Sequence, residues 1–309
     1  MLGGNVFGWT LNESDSFRIL DCAFDAGLTF IDTADIYSTW VPGNTGGESE
    51  TIIGKWLART GKRSKVTLAT KLGMEMGGDK KGLAPRYMEQ AVEDSLRRLQ
   101  TDYIDLYQSH QDDAGVPLEE TLRAFDGLVS KGKVRFIGAS NYSGARLTEA
   151  LETSARAGLA SYQTLQPHYN MMEREPYESD LAPVAVRYGL GVIPYFSLAS
   201  GFLTGKYRSE ADLKASPRGG GIGGKYLNDR GRAVLGALDA AAHAYQSTPA
   251  RVALAWLMTR PGVVAPISSA TSVDHVKDLV GATELKLSQN ALAILTAASA
   301  PRAAAGAAV

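Results

Sequence analysis

The sequence predicts an α/β protein, a (β/α)8 or TIM barrel that forms a single domain over residues 1–309. Two observations favour this fold class. Short apolar runs alternate with longer amphipathic segments along the chain, as expected for buried parallel strands joined by helices. The chain has 309 residues, 44% of them hydrophobic, which suits one barrel with a large core. An open doubly wound sheet is the alternative.

Eight apolar runs are the candidate strands, because their apolarity is too continuous for hairpins with one face in water. In chain order these runs are residues 5–9, 28–32, 66–71, 103–108, 134–140, 162–167, 190–196 and 263–268. Strands of this kind, separated by helices, form βαβ units with right-handed crossovers and a parallel sheet.

Helical patterns lie between these runs. One helix presents a single apolar face, formed by Met88, Val92, Leu96 and Leu99. Ser143 precedes another helix and can cap it. Four glycines follow helical patterns where a left-handed residue ends a helix; they are Gly61, Gly132, Gly158 and Gly189.

Two regions interrupt the alternation. Residues 197–228 form a long segment rich in Gly, Ser and Lys after the seventh strand, which predicts a functional or disordered loop. Within it, GGGIGG (219–224) matches a phosphate-binding glycine pattern, but no strand leads into it, so a flexible loop is predicted. The low-complexity tail, residues 297–309, is expected to be flexible.

Composition excludes several classes of partner. The chain has 33 acidic and 32 basic residues, so nucleic acid and anionic membranes are not expected partners. No apolar stretch reaches the roughly 18 residues of a membrane span and no secretory signal is present, which predicts a cytoplasmic protein. The four histidines are scattered, so no metal site is predicted. A small-molecule partner is expected.

Four polar residues follow consecutive predicted strands. Asp32 ends the second strand, Lys71 ends the third, His110 follows the fourth and Tyr37 lies in the loop after Asp32. Each has an ordinary structural explanation, such as a helix cap or a core histidine. Together they point to an active site, because the carboxyl ends of barrel strands meet at one face.

These residue types suggest a proton donor that needs no metal. A phenol has a pKa near 10, and we expect Lys71 and His110 to lower the pKa of Tyr37. Asp32 would keep the buried Lys71 charged. Tyr37 could then protonate a carbonyl oxygen that His110 orients. A Schiff-base aldolase with Lys71 as the nucleophile is a further possibility.

The same residues lie in motifs that recur in one known family. FIDTADIY (30–37), LATKLG (68–73) and DYIDLYQSH (102–110) are followed in order by GASNYS (138–143) and LQPHYNMMER (165–174). This arrangement resembles the aldo-keto reductase superfamily over nearly the whole chain. The resemblance implies a barrel that reduces a small-molecule carbonyl substrate with NAD(P)H, with Asp32, Tyr37, Lys71 and His110 as catalytic residues.

The resemblance also implies a set of cofactor contacts. Ser140, Asn141 and Gln166 would hold the nicotinamide carboxamide, and Tyr195 would stack on the ring. The segments PYFSLASGFLTGKY (194–207) and PISSATSVDHVKDLVGA (266–282) match those around the pyrophosphate and the adenosine. The implied contacts there are Phe196, Ser197, Leu198, Gly201, Lys206, Arg218, Ser269, Thr271 and His275.

The chain departs from the family pattern at the adenosine end. Family members often carry Lys or Arg for the 2′-phosphate of NADPH, whereas this chain has Ser268, Ser269, Thr271 and His275. NADPH is therefore expected from the family, with NADH use also predicted. Four aromatic residues are candidates for the substrate pocket; they are Phe7, Trp9, Trp40 and Tyr142.

A second class of function stays open at this point. Potassium-channel β subunits share the family's cofactor pocket while serving mainly as docking modules. An intact set of catalytic residues does not exclude this role.

Overall fold

Seven parallel strands form one sheet in the computed structural model, which describes residues 1–214 and 219–301. The strands lie side by side in chain order, and every neighbouring pair is parallel. They are β1 (Leu2–Gly3), β2 (Phe30–Asp32), β3 (Thr67–Leu72), β4 (Ile104–Ser109), β5 (Val134–Ser140), β6 (Tyr162–Gln166) and β7 (Gly191–Val192). Because all strands run the same way, their carboxyl ends share one face of the fold.

Helices connect the strands within these described ranges. They are α1 (Glu13–Asp25), α2 (Glu48–Thr60), α3 (Pro85–Leu99), α4 (Leu118–Ser130), α5 (Gly144–Ala157), α6 (Ala182–Tyr188), α7 (Glu210–Lys214), α8 (Gly223–Tyr226), α9 (Asp229–Ala244), α10 (Pro249–Met258), α11 (Val273–Glu284) and α12 (Gln289–Ala298). None of the described helices is both long and apolar enough to cross a membrane.

The first and last of the eight predicted strands do not form regular strands at the predicted positions. The run 5–9 forms tight turns, with Gly8 at a φ of 75°, and the first strand lies earlier, at β1. The run 263–268 makes one parallel bridge to β7 through Val263 and one to β1 through Ser268. Pro266 in this run has no N–H to donate, and residues 263–268, all of them described, form no regular strand. The run nevertheless contacts both edge strands.

The helix predictions are confirmed. The face of α3 that carries Met88, Val92, Leu96 and Leu99 is buried. The hydroxyl of Ser143 accepts a hydrogen bond from the backbone N–H of Arg146 and caps α5. The four predicted glycines all have positive φ, between 63° for Gly61 and 71° for Gly132.

The predicted loop and tail differ from the structure. The described part of 197–228 contains α7, α8 and short 3-10 helices at Ala199–Thr204 and Gly219–Gly221. The flexible loop predicted for 219–224 is wrong, because this stretch holds one of the 3-10 helices and the start of α8. Residues 215–218 lie outside the described residues. The predicted tail begins too early, since α12 continues to Ala298 and the buried Ser299 accepts a hydrogen bond from Arg174 at 3.1 Å.

At Gly54, α2 packs directly against the backbone of α3. A Cβ at this position would collide with the carbonyl oxygen of Arg98 and lie 2.7 Å from the carbonyl carbon of Leu99. Both atoms belong to the backbone, so they cannot move aside as a flexible side chain could. The absence of a side chain therefore sets the spacing between the two helices.

We predict that Gly54→Ala lowers the free energy of unfolding by about 1–3 kcal/mol, because α2 must move away from α3. Urea denaturation would measure the change. The control is Gly236→Ala in α9, where a new Cβ meets no atom within 4 Å. That variant should be neutral or more stable by up to about 1 kcal/mol. Equal stability of the two variants would contradict the packing argument.

Candidate active site

The carboxyl ends of β2, β3 and β4 bring the four predicted catalytic residues together. Asp32 is the last residue of β2, Lys71 lies near the end of β3, and His110 directly follows β4. Tyr37 is held in the turn after β2, where its backbone N–H donates to the carbonyl of Ala34 at 3.2 Å. The side chain of Lys71 is fully buried, which is unusual for an amine and requires polar partners.

Lys71 Nζ is the centre of the site. It donates to Asp32 Oδ2 at 2.8 Å, to the backbone carbonyl oxygen of Thr33 at 2.7 Å and to the hydroxyl oxygen of Tyr37 at 3.0 Å. These three contacts satisfy all three protons of an ammonium group. The hydroxyl of Tyr37 lies 3.4 Å from the same oxygen of Asp32. The amine, the carboxylate and the phenol thus form one connected group.

Asp32 is fixed from a second side. Gln166 Nε2, at the end of β6, donates to Asp32 Oδ1 at 3.0 Å. The same nitrogen lies 3.4 Å from Gln108 Oε1 in β4. Both oxygens of the buried Asp32 therefore accept hydrogen bonds. Residues of β3 and β6 thus fix the position of this carboxylate at the end of β2.

Burial sets the protonation states of the site. Burial lowers the pKa of Lys71, but Asp32 and Tyr37 more than offset this, so its pKa is raised and the amine stays charged. Burial raises the pKa of Tyr37 to about 12, although Lys71 acts in the opposite direction. Burial, followed by the charge of Lys71, lowers the pKa of His110 well below its usual range.

The sequence-based prediction of a lowered pKa for Tyr37 is therefore wrong for this site. His110 is neutral near pH 7 and adds no positive charge, while the loss of water around Tyr37 outweighs the field of Lys71. Tyr37 keeps its proton at neutral pH, as a proton donor must.

A cavity of about 1100 Å³ opens above these residues. Asp32, Tyr37 and His110 contribute to its lining, and Lys71, which is not a lining residue, contacts Asp32 and Tyr37. Twelve of the predicted cofactor contacts also line it; they are Ser140, Asn141, Gln166, Tyr195, Phe196, Ser197, Leu198, Gly201, Lys206, Ser269, Thr271 and His275. Arg218, the remaining predicted contact, lies outside the described residues.

Amide and aromatic groups meet beside His110. Asn141 Nδ2 donates to the carbonyl oxygen of His110 at 2.8 Å, and Asn141 Oδ1 accepts from the hydroxyl of Tyr195 at 2.8 Å. Asn141 has a φ of 55°, a left-handed conformation that asparagine tolerates. The ring of Tyr195 stacks on His168, with centroids 5.2 Å apart and planes 17° apart. This contact fixes the orientation of the Tyr195 ring at the cavity wall.

Two helix N-termini line another part of the cavity. Thr248 caps α10 by accepting from the N–H of Arg251, and Ser272 caps α11 by accepting from the N–H of His275. The backbone N–H of Thr271 donates to His275 Nδ1 at 3.2 Å. Helix N-termini favour anions because their N–H groups and dipoles point outward. We name this part, with Lys206 and Asp278, the distal group.

Sequence reasoning missed several lining residues. Asn5, Thr248 and Asp278 all line the cavity. The capping pattern Thr-Pro at the start of α10 could have identified Thr248. Asp278 gave no such signal, because its position depends on an ion pair with Arg251, whose Nε lies 2.8 Å from Asp278 Oδ1.

The four aromatic candidates for the substrate pocket separate into two pairs. Trp40 lines the cavity. Trp9 is not among the lining residues, but its ring contacts that of Trp40 edge to face, with centroids 5.7 Å apart. Phe7 and Tyr142 belong to the buried core and are not part of the lining, so those two predictions are wrong. The hydroxyl of Tyr142 is directed at Ser109 and Tyr162 in the interior. In the described ranges, no cluster of three or more His, Cys, Asp or Glu side chains could hold a metal ion.

The fold and the site together describe an α/β protein with a connected Asp–Lys–Tyr group at the carboxyl ends of its parallel strands, beside a large cavity. Comparisons with known proteins identify its family. The family model described as the aldo/keto reductase family matches residues 1–300, and the chain belongs to this family.

Individual relatives support the assignment. An uncharacterized oxidoreductase, YrpG, from Bacillus subtilis is 36% identical over 95% of this chain and 90% of its own length. A probable aldo-keto reductase 1 from Glycine max is 33% identical over 91% of this chain and 78% of its own length. A probable voltage-gated potassium channel subunit beta from Arabidopsis thaliana is 32% identical over 91% of this chain and 85% of its own length. The chain is accordingly assigned to a family of oxidoreductases.

We predict that His110 makes the fold less stable at acid pH. Its pKa is lowered in the folded protein, so below about pH 6.5 the unfolded chain takes up a proton that the folded protein does not. The free energy of unfolding therefore decreases as the pH is lowered. His110→Gln removes this effect and should lose less stability between pH 7.5 and pH 5, by up to about 2 kcal/mol.

Urea denaturation at the two pH values would measure this difference. His243→Gln, at an exposed position of α9, is the control and should keep the pH dependence of the original protein. Identical pH dependence in His110→Gln and the original protein would show that His110 is not held neutral.

Proposed function

We propose that the protein reduces the carbonyl group of an aldehyde or ketone to an alcohol, with NADPH or NADH as the reductant and Tyr37 as the proton donor. The reaction would take place within one barrel domain. The observation that carries this proposal is the contact between the charged Lys71 and the hydroxyl oxygen of Tyr37, at 3.0 Å, next to a large cavity.

The cavity lining suits a nicotinamide dinucleotide. Asn141, Ser140 and Gln166 supply the donors and acceptors that a carboxamide requires. The stacked Tyr195 offers a flat face to a ring, and the N-termini of α10 and α11 suit phosphate groups. When bound, the reduced dinucleotide supplies the hydride.

Tyr37 would donate its proton to the carbonyl oxygen of the substrate as that oxygen gains negative charge. The phenolate left on Tyr37 lies within reach of the ammonium of Lys71, which stabilises it in a site with little water. Asp32 keeps Lys71 charged and in place. The neutral His110 borders the same cavity and would orient the carbonyl group.

The contacts of Lys71 argue against a Schiff-base aldolase. A lysine nucleophile must be neutral and must reach the substrate. The amine of Lys71 is fully buried, its pKa is raised, and all three of its protons are directed at oxygen atoms of the protein. Lys71 therefore fits an electrostatic role better than a nucleophilic one.

A cofactor-binding docking module is the second candidate function. The similarity to a probable potassium channel subunit beta favours it. The two functions differ in turnover: a reductase consumes the reduced cofactor when an aldehyde is added, whereas a docking module binds the cofactor without consuming it. Turnover measured with a panel of aldehydes would separate them.

We predict that Tyr37→Phe lowers kcat at least about a thousandfold while cofactor affinity changes little, because only the proton donor is removed. Steady-state kinetics and calorimetric titration with the cofactor would measure both effects. Tyr188→Phe, on the surface of α6, is the matched control and should keep full activity. A loss of cofactor affinity as large as the loss of rate would contradict the role of Tyr37.

We also predict that kcat/KM values for NADPH and NADH differ by no more than about tenfold, because no arginine is found among the described lining residues. His275→Arg should raise the NADPH/NADH ratio by about tenfold, since a guanidinium can bind a phosphate through two hydrogen bonds. The control is Lys277→Arg, at an exposed position of α11 outside the lining. A strong NADPH preference in the original protein would refute this interpretation of the distal group.

A further inference from the structure

We propose that Trp40 is a specificity-determining residue that selects uncharged carbonyl compounds bearing an aromatic ring over small aliphatic and carboxylate-bearing ones. This inference rests on the proposed function and names its substrate class. It follows from three features of the cavity: the exposure of Trp40, the bonds that fix its loop, and the distribution of charge in the lining.

Trp40 lies next to the proposed proton donor. Its ring centroid is 6.1 Å from that of Tyr37, with the planes 60° apart, and its side chain lines the cavity. The residue is 47% exposed, as is, to a similar degree, Phe196 elsewhere in the lining at 46%. Packing of another aromatic ring against an exposed indole is energetically favourable. A ligand whose carbonyl oxygen contacts Tyr37 would place its attached group near Trp40.

Hydrogen bonds between two loops fix the position of Trp40. Asn44 Nδ2 donates to the carbonyl oxygens of Gly8 and Ser38, both at 3.1 Å. The hydroxyl of the buried Ser38 donates to the carbonyl oxygen of Phe7 at 2.9 Å. These bonds join the loop that carries Trp40 to the loop that carries Trp9, whose ring meets Trp40 at 86°. The wall is therefore formed before a ligand binds, which lowers the entropy lost on binding.

The described lining residues near Trp40 offer no free cation to a carboxylate, and the charged side chain beside Tyr37 is Asp32, an anion. Ile36 and Met74 line the cavity together with Trp40, and His110 is neutral near pH 7. The positive charge of Lys71 is already held by Asp32. The lysine among the described lining residues, Lys206, belongs to the distal group, where it acts on His275. A carboxylate on the substrate would therefore lose water near Trp40 without gaining a cation.

These features separate three kinds of substrate. Benzaldehyde offers an uncharged ring that can pack against Trp40. Propanal offers the same reacting group without a ring, and 4-carboxybenzaldehyde adds a negative charge to the ring. We expect kcat/KM to be highest for benzaldehyde.

The test measures kcat/KM for the three aldehydes with the original protein and two variants. Trp40→Ala should lower the benzaldehyde/propanal ratio about tenfold, through the loss of ring packing. Trp40→Phe, which keeps an aromatic ring, should restore most of that ratio. The matched control is Phe136→Ala, which removes an aromatic residue of similar exposure, 58%, from outside the cavity lining. This control should leave all three values unchanged.

Equilibrium binding makes the inference independent of turnover. Benzyl alcohol and 1-propanol are titrated into the protein saturated with oxidised dinucleotide, and Trp40→Ala should weaken the first far more than the second. If this preference is found but no aldehyde is reduced, the reductase function fails and the role of Trp40 stands. The proposal would be overturned if Trp40→Ala changed neither the benzaldehyde/propanal ratio of kcat/KM nor the relative affinity for the two alcohols. A higher kcat/KM for 4-carboxybenzaldehyde than for benzaldehyde would also overturn it.

Discussion

The buried ion pair between Lys71 and Asp32 is the interaction on which the site depends. Its two charges lie 2.8 Å apart with almost no exposure to water. Removing both charges from water is costly, and their attraction offsets that cost only when other polar groups complete the arrangement. Thr33 and Gln166 provide those groups here. The interior of the fold can thus hold an ammonium that is charged yet shielded from solvent.

Burial and this ion pair together set the protonation of the neighbouring groups, His110 and Tyr37. Burial is the largest cause of the pKa shift at both His110 and Tyr37, and the charge of Lys71 adds to it at His110 and opposes it at Tyr37. Both groups are neutral near pH 7. The effect of Lys71 on Tyr37 is local and grows when the phenol loses its proton, because an ammonium at hydrogen-bond distance stabilises a phenolate far more than a phenol. The site therefore stabilises a product of proton transfer without ionising the donor beforehand.

The cavity places different chemistry on its different walls. Amides and a stacked tyrosine lie beside His110, helix N-termini belong to the distal group, and the indole of Trp40 borders Tyr37. These walls come from different segments of the chain. This division lets the loop of Trp40 vary without disturbing the ion pair, because the ion pair is built on the strands themselves.

The sequence by itself determined the parallel α/β architecture, the apolar face of α3, the caps such as Ser143 and the strand-end positions of Asp32, Lys71 and His110. These features depend on local periodicity and on side chains that bond to their own segment. Tertiary structure alone decided which runs form regular strands, since Pro266 and Gly8 change the pairing of the terminal runs. It also decided that Phe7 is core while Trp40 is exposed, and that the pKa of Tyr37 is raised. Burial is a property of the assembled fold, because water is excluded from a residue by segments distant in the chain.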